Sequence, residues 1–308
     1  MGAAPSRLYR GWGIALALAG TLSFAFRPIV VKLAYAAGAG AHLSATTLLF
    51  LRMTLSLPFF LAIAWWMRRI HPGAPRLERR DWLALGGLGL IGYYLASLLD
   101  FLGLQYIPAG LGRLIMFIYP TIVVLLSFLF LRKKPSAREL LALAITYSGI
   151  ALVLSDRLGA TPEQRRFLFG ALLVFASSMC YAVYLVASSA LVQRVGSGRF
   201  TAYTMIASTV PALIQFAVLE SPAALALPGP VWGYAILLAT ACTVLPVLFV
   251  AEALKRIGAN HFALIGALGP VTTVLADFAL LGGALGAVQI MGAALVISGV
   301  LLVSLKRK

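Results

Sequence analysis

The sequence predicts an all-α integral membrane protein of ten transmembrane helices, arranged as two inverted five-helix repeats. Three observations predict it. The 308-residue chain is 61% hydrophobic and only 11% charged, where a soluble domain carries about a quarter charged residues. Its basic residues gather in short runs between long apolar segments. Its second half repeats the residue pattern of its first at a nearly constant offset.

A chain this apolar needs a partner other than water for its surface, and no polar stretch is long enough to form a separate soluble domain. The formal net charge of +16 would by itself suit nucleic acid. Arg68-Arg69, Arg79-Arg80, Arg132-Lys133-Lys134, Lys255-Arg256 and Lys306-Arg307-Lys308 each flank an apolar segment, which is how basic residues mark membrane edges rather than a binding groove. A lipid bilayer is expected and nucleic acid is not. Cys180, Cys242, His42, His71 and His261 are far apart, and no CxxC or HExxH motif occurs. No metal, cofactor or catalytic cluster is therefore expected, and the chain is not read as an enzyme. Gly87, Gly89 and Gly92 spell GxGxxG inside an apolar segment. With no preceding strand they suit close helix packing, not a dinucleotide.

A spanning helix needs about 20 mostly apolar residues. The candidates are 11–37, 44–66, 82–103, 108–131, 138–155, 167–192, 200–219, 231–253, 258–281 and 285–305. The first run is longer than a signal-peptide core of about 7–15 residues and contains Arg27 and Lys32, so it is read as a retained helix. With the N-terminus in the cytoplasm, 18 of the 25 Lys and Arg residues fall on the cytoplasmic side and three, Arg157, Arg165 and Arg166, fall outside. The other four, Arg27, Lys32, Arg52 and Arg113, lie within spans. This positive-inside bias predicts a multi-pass protein of the inner (plasma) membrane with both termini cytoplasmic.

At an offset of 150, residues 101–154 align onto 251–304 without gaps. The identical pairs include Ala109/Ala259, Pro120/Pro270, Ser148/Ser298 and Gly149/Gly299; Pro58 and Pro211 match at an offset of 153. Residues 1–155 and 167–308 are thus expected to be the two repeat units. Five spans per unit is odd, so the second enters the membrane from the opposite side. Inverted repeats of this kind characterise secondary transporters with a central site between the halves.

Particular motifs carry a resemblance. The first copy holds Tyr106-Ile107-Pro108-Ala109, Tyr119-Pro120-Thr121 and Tyr147-Ser148-Gly149-Ile150. The second holds Gly258-Ala259-Asn260, Gly269-Pro270-Val271 and Ile297-Ser298-Gly299-Val300, and Leu51-Arg52 stands in the second span. With these the chain resembles the drug/metabolite transporter superfamily in its ten-helix EamA-type form, over nearly its whole length. Gly282-Gly283 departs from the Gly-Glu pair often found there in the family. The resemblance implies a secondary transporter akin to bacterial amino-acid and metabolite exporters, the aromatic amino-acid group included, working by alternating access. Transport of another solute class, nucleotide-derived or drug-like, and lipid flipping are the alternatives.

Charges inside a span cost about 2.5–3.5 kcal/mol each on insertion scales and so face the bundle interior. The chain has Arg27, Lys32, Arg52, Asp100, Arg113, Glu252 and Asp277. All but Glu252 are expected in the outer half, where the excess of cations suits a substrate carboxylate. Arg27, Asp100, Arg113 and Asp277 are the charged binding candidates, although Asp100 could instead pair structurally with Arg113. Arg52 is read as fold-holding and Lys32 as snorkelling to the interface. Helical spacing aligns Tyr93, Ser97 and Asp100; Arg113, Phe117 and Pro120; Ser177, Tyr181, Tyr184 and Ser188; and Pro270, Thr273 and Asp277. Phe24 lies beside Arg27. From these stripes Phe24, Tyr93, Ser97, Phe117, Tyr181 and Tyr184 join the binding candidates, with plain helix packing as the other reading of the rings. Pro120 and Pro270, each removing a backbone hydrogen bond, are expected as hinges or bends.

Overall fold

Apolar runs bounded by Gly, Pro and basic residues become helices. The computed structural model describes residues 7–70, 73, 77–131, 136–155, 161–266, 268–283 and 286–304. The basic runs at 132–134 and 306–308, together with His71, Arg76 and Arg157, lie outside the described residues. Seven helical stretches are long and apolar enough to cross a membrane: Gly11–Ala37, Ala45–Ile70, Arg79–Gly103, Ala109–Leu129, Pro162–Ser188, Ser197–Leu219 and Gly229–Leu254. Ala137–Ser155, Leu268–Leu281 and Ala287–Ser304 are shorter helices. Among the described residues there is no strand. The protein is an all-α membrane protein of two repeats, and these ten segments are its first to tenth spans.

The spans depart from uniform helices in three ways. The fourth is broken into Ala109–Met116 and Tyr119–Leu131. Pro120 has no N–H to give the Met116 carbonyl four residues before it. Ser178 of the sixth span takes that place, its Oγ donating to the Met116 oxygen at 3.2 Å. The expected kink is therefore a break, satisfied from a neighbouring helix.

The third and eighth spans each contain a π-helical turn, Leu90–Leu95 and Thr240–Val244. They are 150 residues apart, so the bulge belongs to the repeat unit itself. Such turns insert a residue and re-aim the side chains around it.

The third departure concerns the end of the eighth span, where a break was expected between 253 and 258. Helix runs unbroken over Leu245–Gly266. Gly20 packs against Val250 and Gly13 against Ile257, yet Gly269 is back beside Thr21. The chain thus descends along the first span and returns within 257–269. The first half has Pro108 at the matching corner, and a proline ends a helix where Gly258 does not oblige it to end.

The fifth and tenth spans pair closely. A Cβ on Gly149 would come within 2.7 Å of the Gly292 carbonyl oxygen, and one on Gly299 would collide with Thr146 Oγ1. The repeated Ser-Gly pairs mark this crossing, because small residues let membrane helices approach. Apolar cores around Leu48, Met53, Phe101 and Leu238, and around Ile107, Ile115 and Val174, hold most of the remaining spans together, and Ala276 joins the ninth to Ile29 and Ala109. The first to fourth and sixth to eighth spans surround a central space.

Candidate substrate cavity

The first to fourth and sixth to eighth spans, with Phe262 and Gly266 at the end of the helix Leu245–Gly266, enclose a cavity of about 370 Å³, within the range of small-molecule sites. Both halves build it from repeat-related positions. Gly92 and Cys242, Tyr93 and Thr243, Ser97 and Val247, and Met116 and Gly266 all line it at an offset of 150. Arg52 and Met205 do so at 153. The first two pairs lie within the π turns, which thus bring matching positions of both halves to the wall. The charge does not follow this symmetry: Arg27, Arg52 and Arg113 all come from the first half.

Arg52 is 2% exposed. Its Nε donates to Thr243 Oγ1 at 3.1 Å, and its guanidinium lies 5.5 Å from the centre of the Phe101 ring. Thr243 in turn donates to the Leu238 carbonyl five residues back, at 2.7 Å, a register the π turn creates. Arg52 Nη1 is buried and has no hydrogen-bond partner. Arg113 Nε and Thr21 Oγ1 are likewise buried and unpartnered, and Arg113 and Thr21 flank Gly269 together. Buried donors left unpaired cost about 1–3 kcal/mol each, and all three residues also line the cavity.

Arg27 lies between the other two, within the field of both Arg52 and Arg113. Its Nη2 meets Asp100 Oδ2 at 2.6 Å. The expected alternative pair, Asp100 with Arg113, gives way to this one. Asp100 stands behind the wall, not in it, and among the described residues no carboxylate lines the cavity.

Aromatic rings supply the apolar wall. Phe24, Phe117, Tyr119 and Tyr181 face the space. Tyr119 and Tyr181 meet edge to face at 5.0 Å, and Tyr181 stacks on Tyr184 at 5.9 Å. Tyr184 sits behind Tyr93, donating to its hydroxyl at 3.1 Å. Gly92 makes room for it, since a Cβ there would collide with the Tyr184 ring.

Of the residues singled out from the sequence, Phe24, Arg27, Tyr93, Ser97, Arg113, Phe117, Tyr181 and Pro120 line this one cavity. Asp100 joins it through Arg27, and Tyr184 through Tyr93 and Tyr181. The ninth-span stripe turns away. Thr273 Oγ1 donates to the Ala25 carbonyl at 2.7 Å, and Asp277 Oδ2 accepts the Gly110 N–H at 2.9 Å. Pro270 is buried near the start of Leu268–Leu281, outside the wall. Lys32 feels the opposite charge of Asp277, and Glu252 bonds Arg256 at 3.0 Å one helical turn away. In the sixth span Ser177 donates to the Ala96 carbonyl at 2.6 Å and Ser188 to its own helix at Leu185.

Sequence reasoning left out of the site Arg52, Thr243, Cys242, Met205 and Phe262, which also line the cavity. Small and apolar residues carry no local signal of that kind. The repeat offset could have pointed to two of them, since Tyr93 maps onto Thr243 and Arg52 onto Met205.

A solute-sized cavity, apolar-walled with three arginines, between two repeat-related halves of a membrane-spanning bundle defines a transporter of small molecules. The chain belongs to the EamA-like transporter family, whose model matches residues 11–155 and again 168–305. It is 32% identical to a Bacillus subtilis protein named uncharacterized transporter YcbK, over 91% of this chain and 88% of that one. It is 26% identical, over 71% of this chain and 75% of the relative, to a Streptantibioticus cattleyicolor protein named a probable terminal-alkyne amino-acid exporter. A solved crystal structure superposes with a TM-score of 0.64 at 19% identity, covering 94% of this chain and 95% of the other, a likeness of fold alone.

Proposed function

We propose that the protein is a secondary transporter that exports small carboxylate-bearing metabolites, amino acids and their relatives, by alternating access across the inner membrane. The observation that carries this reading is the arginine trio around the cavity. Three guanidinium groups line a space of metabolite size, two of them, Arg52 and Arg113, with an unpartnered donor, and Arg fits a carboxylate in bidentate geometry. Phe24, Phe117, Tyr119 and Tyr181 offer apolar faces to the rest of such a solute. The export direction and the amino-acid class draw support from the name of the S. cattleyicolor relative. The loop-charge bias supports cytoplasmic termini, and the transporter names of the relatives support a role without catalysis.

Alternating access needs places where the spans can bend. The break before Pro120 and the paired π turns are such places, and each borders the cavity. Pro120 is the hinge of the first repeat in this reading and Pro270 its counterpart in the second.

The test is solute movement in liposomes holding the purified protein, with a panel of labelled amino acids and related carboxylic acids, with and without a pH gradient. Counterflow of at least one such acid is expected, and Arg113→Gln should weaken it at least tenfold, the loss of a charge-assisted contact of about 1.5–3 kcal/mol. No movement of any acid tested would reject the reading.

A further inference from the structure

The charges of the cavity do not match those of a simple amino acid. A zwitterion brings one carboxylate and one ammonium. The wall offers three guanidinium groups and no carboxylate. No acidic residue among the described residues stands in this wall, and Asp100, behind it, is engaged by Arg27 at 2.6 Å. An ammonium group entering the cavity would meet the repulsion of Arg52 and Arg113 with no anion to receive it.

The cations are also spread out. Arg27 and Asp100 interact with each other in the middle, and Arg52 and Arg113 both lie in the field of that central pair. Each outer arginine has its own polar neighbour: Thr243 beside Arg52 and Thr21 beside Arg113. Each also has a buried donor without a partner. Two separate acceptors would satisfy both ends at once. Counting Asp100 against Arg27, two positive charges are left in a low-dielectric space, and opposite charge is what such a space selects.

We propose that the cavity selects solutes carrying two separated anionic groups on an apolar body, dicarboxylates or phosphate monoesters with a second acid, over zwitterionic amino acids. One group is received by Arg52 and the other by Arg113 with Thr21. This narrows the substrate of the transporter reading and rests on it for the location of the site.

The test uses the full-length protein in detergent and in liposomes, with five probes: succinate, phenylsuccinate, carboxyphenyl phosphate, glutamate and phenylalanine. Binding is read by heat of titration and by shift of the melting midpoint. Phenylsuccinate or carboxyphenyl phosphate is expected to bind at least about tenfold more tightly than phenylalanine, since one more ion-pair contact is made and one repulsion removed. The stronger of the two identifies carboxylate or phosphate as the preferred group. Arg52→Gln should bring the stronger ligand down to the affinity of phenylalanine. Thr243→Val, which keeps the charge but loosens its mooring, should weaken that ligand by a smaller factor and serves if Arg52→Gln does not fold. Phenylalanine binding as tightly as the dianions, or no dianion binding at all, overturns the proposal. Transport of phenylalanine without dianion binding would sink the proposal and leave the transporter reading standing. Dianion binding without movement of any solute would do the reverse.

Discussion

Asp277 Oδ2 accepts the backbone N–H of Gly110 at 2.9 Å, joining residues 167 positions apart. Gly110 lies in the first turn of Ala109–Met116, where backbone donors have no partner within the helix. A carboxylate there satisfies one donor and meets the positive end of the helix dipole. The contact ties the ninth span of one repeat to the fourth span of the other. Asp277→Ala should cost about 1–3 kcal/mol, the penalty of a buried unpaired donor, read as a lower melting midpoint in detergent. Asp277→Asn, which keeps an acceptor, should cost less. Ligand affinity should stay unchanged in both, and a drop in affinity at constant stability would show that Asp277 serves the cavity instead.

The Arg27–Asp100 pair makes a different prediction. Side-chain exposures of 17% and 7% place it largely out of water, where removing one partner leaves an uncompensated charge. Asp100→Asn should destabilise the protein by about 3 kcal/mol. It should also raise the positive charge of the cavity and tighten the binding of anionic solutes. The exchanged pair, Arg27→Asp with Asp100→Arg, should recover most of the stability. An Asp100→Asn protein with an unchanged melting midpoint would argue that the pair contributes nothing to the fold.

At the crossing of the fifth and tenth spans, neither Gly149 nor Gly299 has room for a side chain. Gly149→Leu or Gly299→Leu should force the two helices apart. The expected result is loss of monodisperse protein on gel filtration, with Gly11→Ala, at a position with open space around it, as the control that behaves like the parent. Normal behaviour of both leucine variants would mean that the helices do not pack through these glycines.

Pro120→Ala restores an N–H that can reach the Met116 carbonyl, at present served by Ser178. The fourth span should then close into a continuous helix. Stability should be unchanged or slightly higher, by about 1 kcal/mol, while the solute turnover rate in liposomes falls several-fold. An unaltered rate would remove Pro120 from the list of hinges. Ser178→Ala in the parent should cost about 1 kcal/mol, because it uncovers that same carbonyl.

Much of the architecture was legible in the sequence, since a bilayer permits few solutions for a chain this apolar. Span count and helix content follow from lengths of apolar run. The two-unit organisation follows from Pro120/Pro270 and Ser148-Gly149/Ser298-Gly299, residues whose effects on a helix are local and strong. The same locality made the stripes on the third and fourth spans readable, because helical spacing alone puts Tyr93 with Ser97 and Arg113 with Phe117 on one face.

What only the tertiary structure decided is which face of each helix meets which neighbour. The spacing of Thr273 and Asp277 resembles that of Tyr93 and Ser97, yet the first pair turns to Ala25 and Gly110 and the second to the cavity. No rule of spacing separates them, because the rotation of a helix about its axis is set by contacts far away in sequence. The π turns belong to this class too: nothing in the composition of Leu90–Leu95 or Thr240–Val244 marks them, while in the fold Gly92 packs against Tyr184 and Thr243 receives Arg52. So does the partner of Asp100, which the sequence left between packing and binding and which three-dimensional proximity assigns to Arg27. The chain by itself determined that charged groups must lie inside the bundle. Folding decided that three arginines share one cavity and that the carboxylates do not.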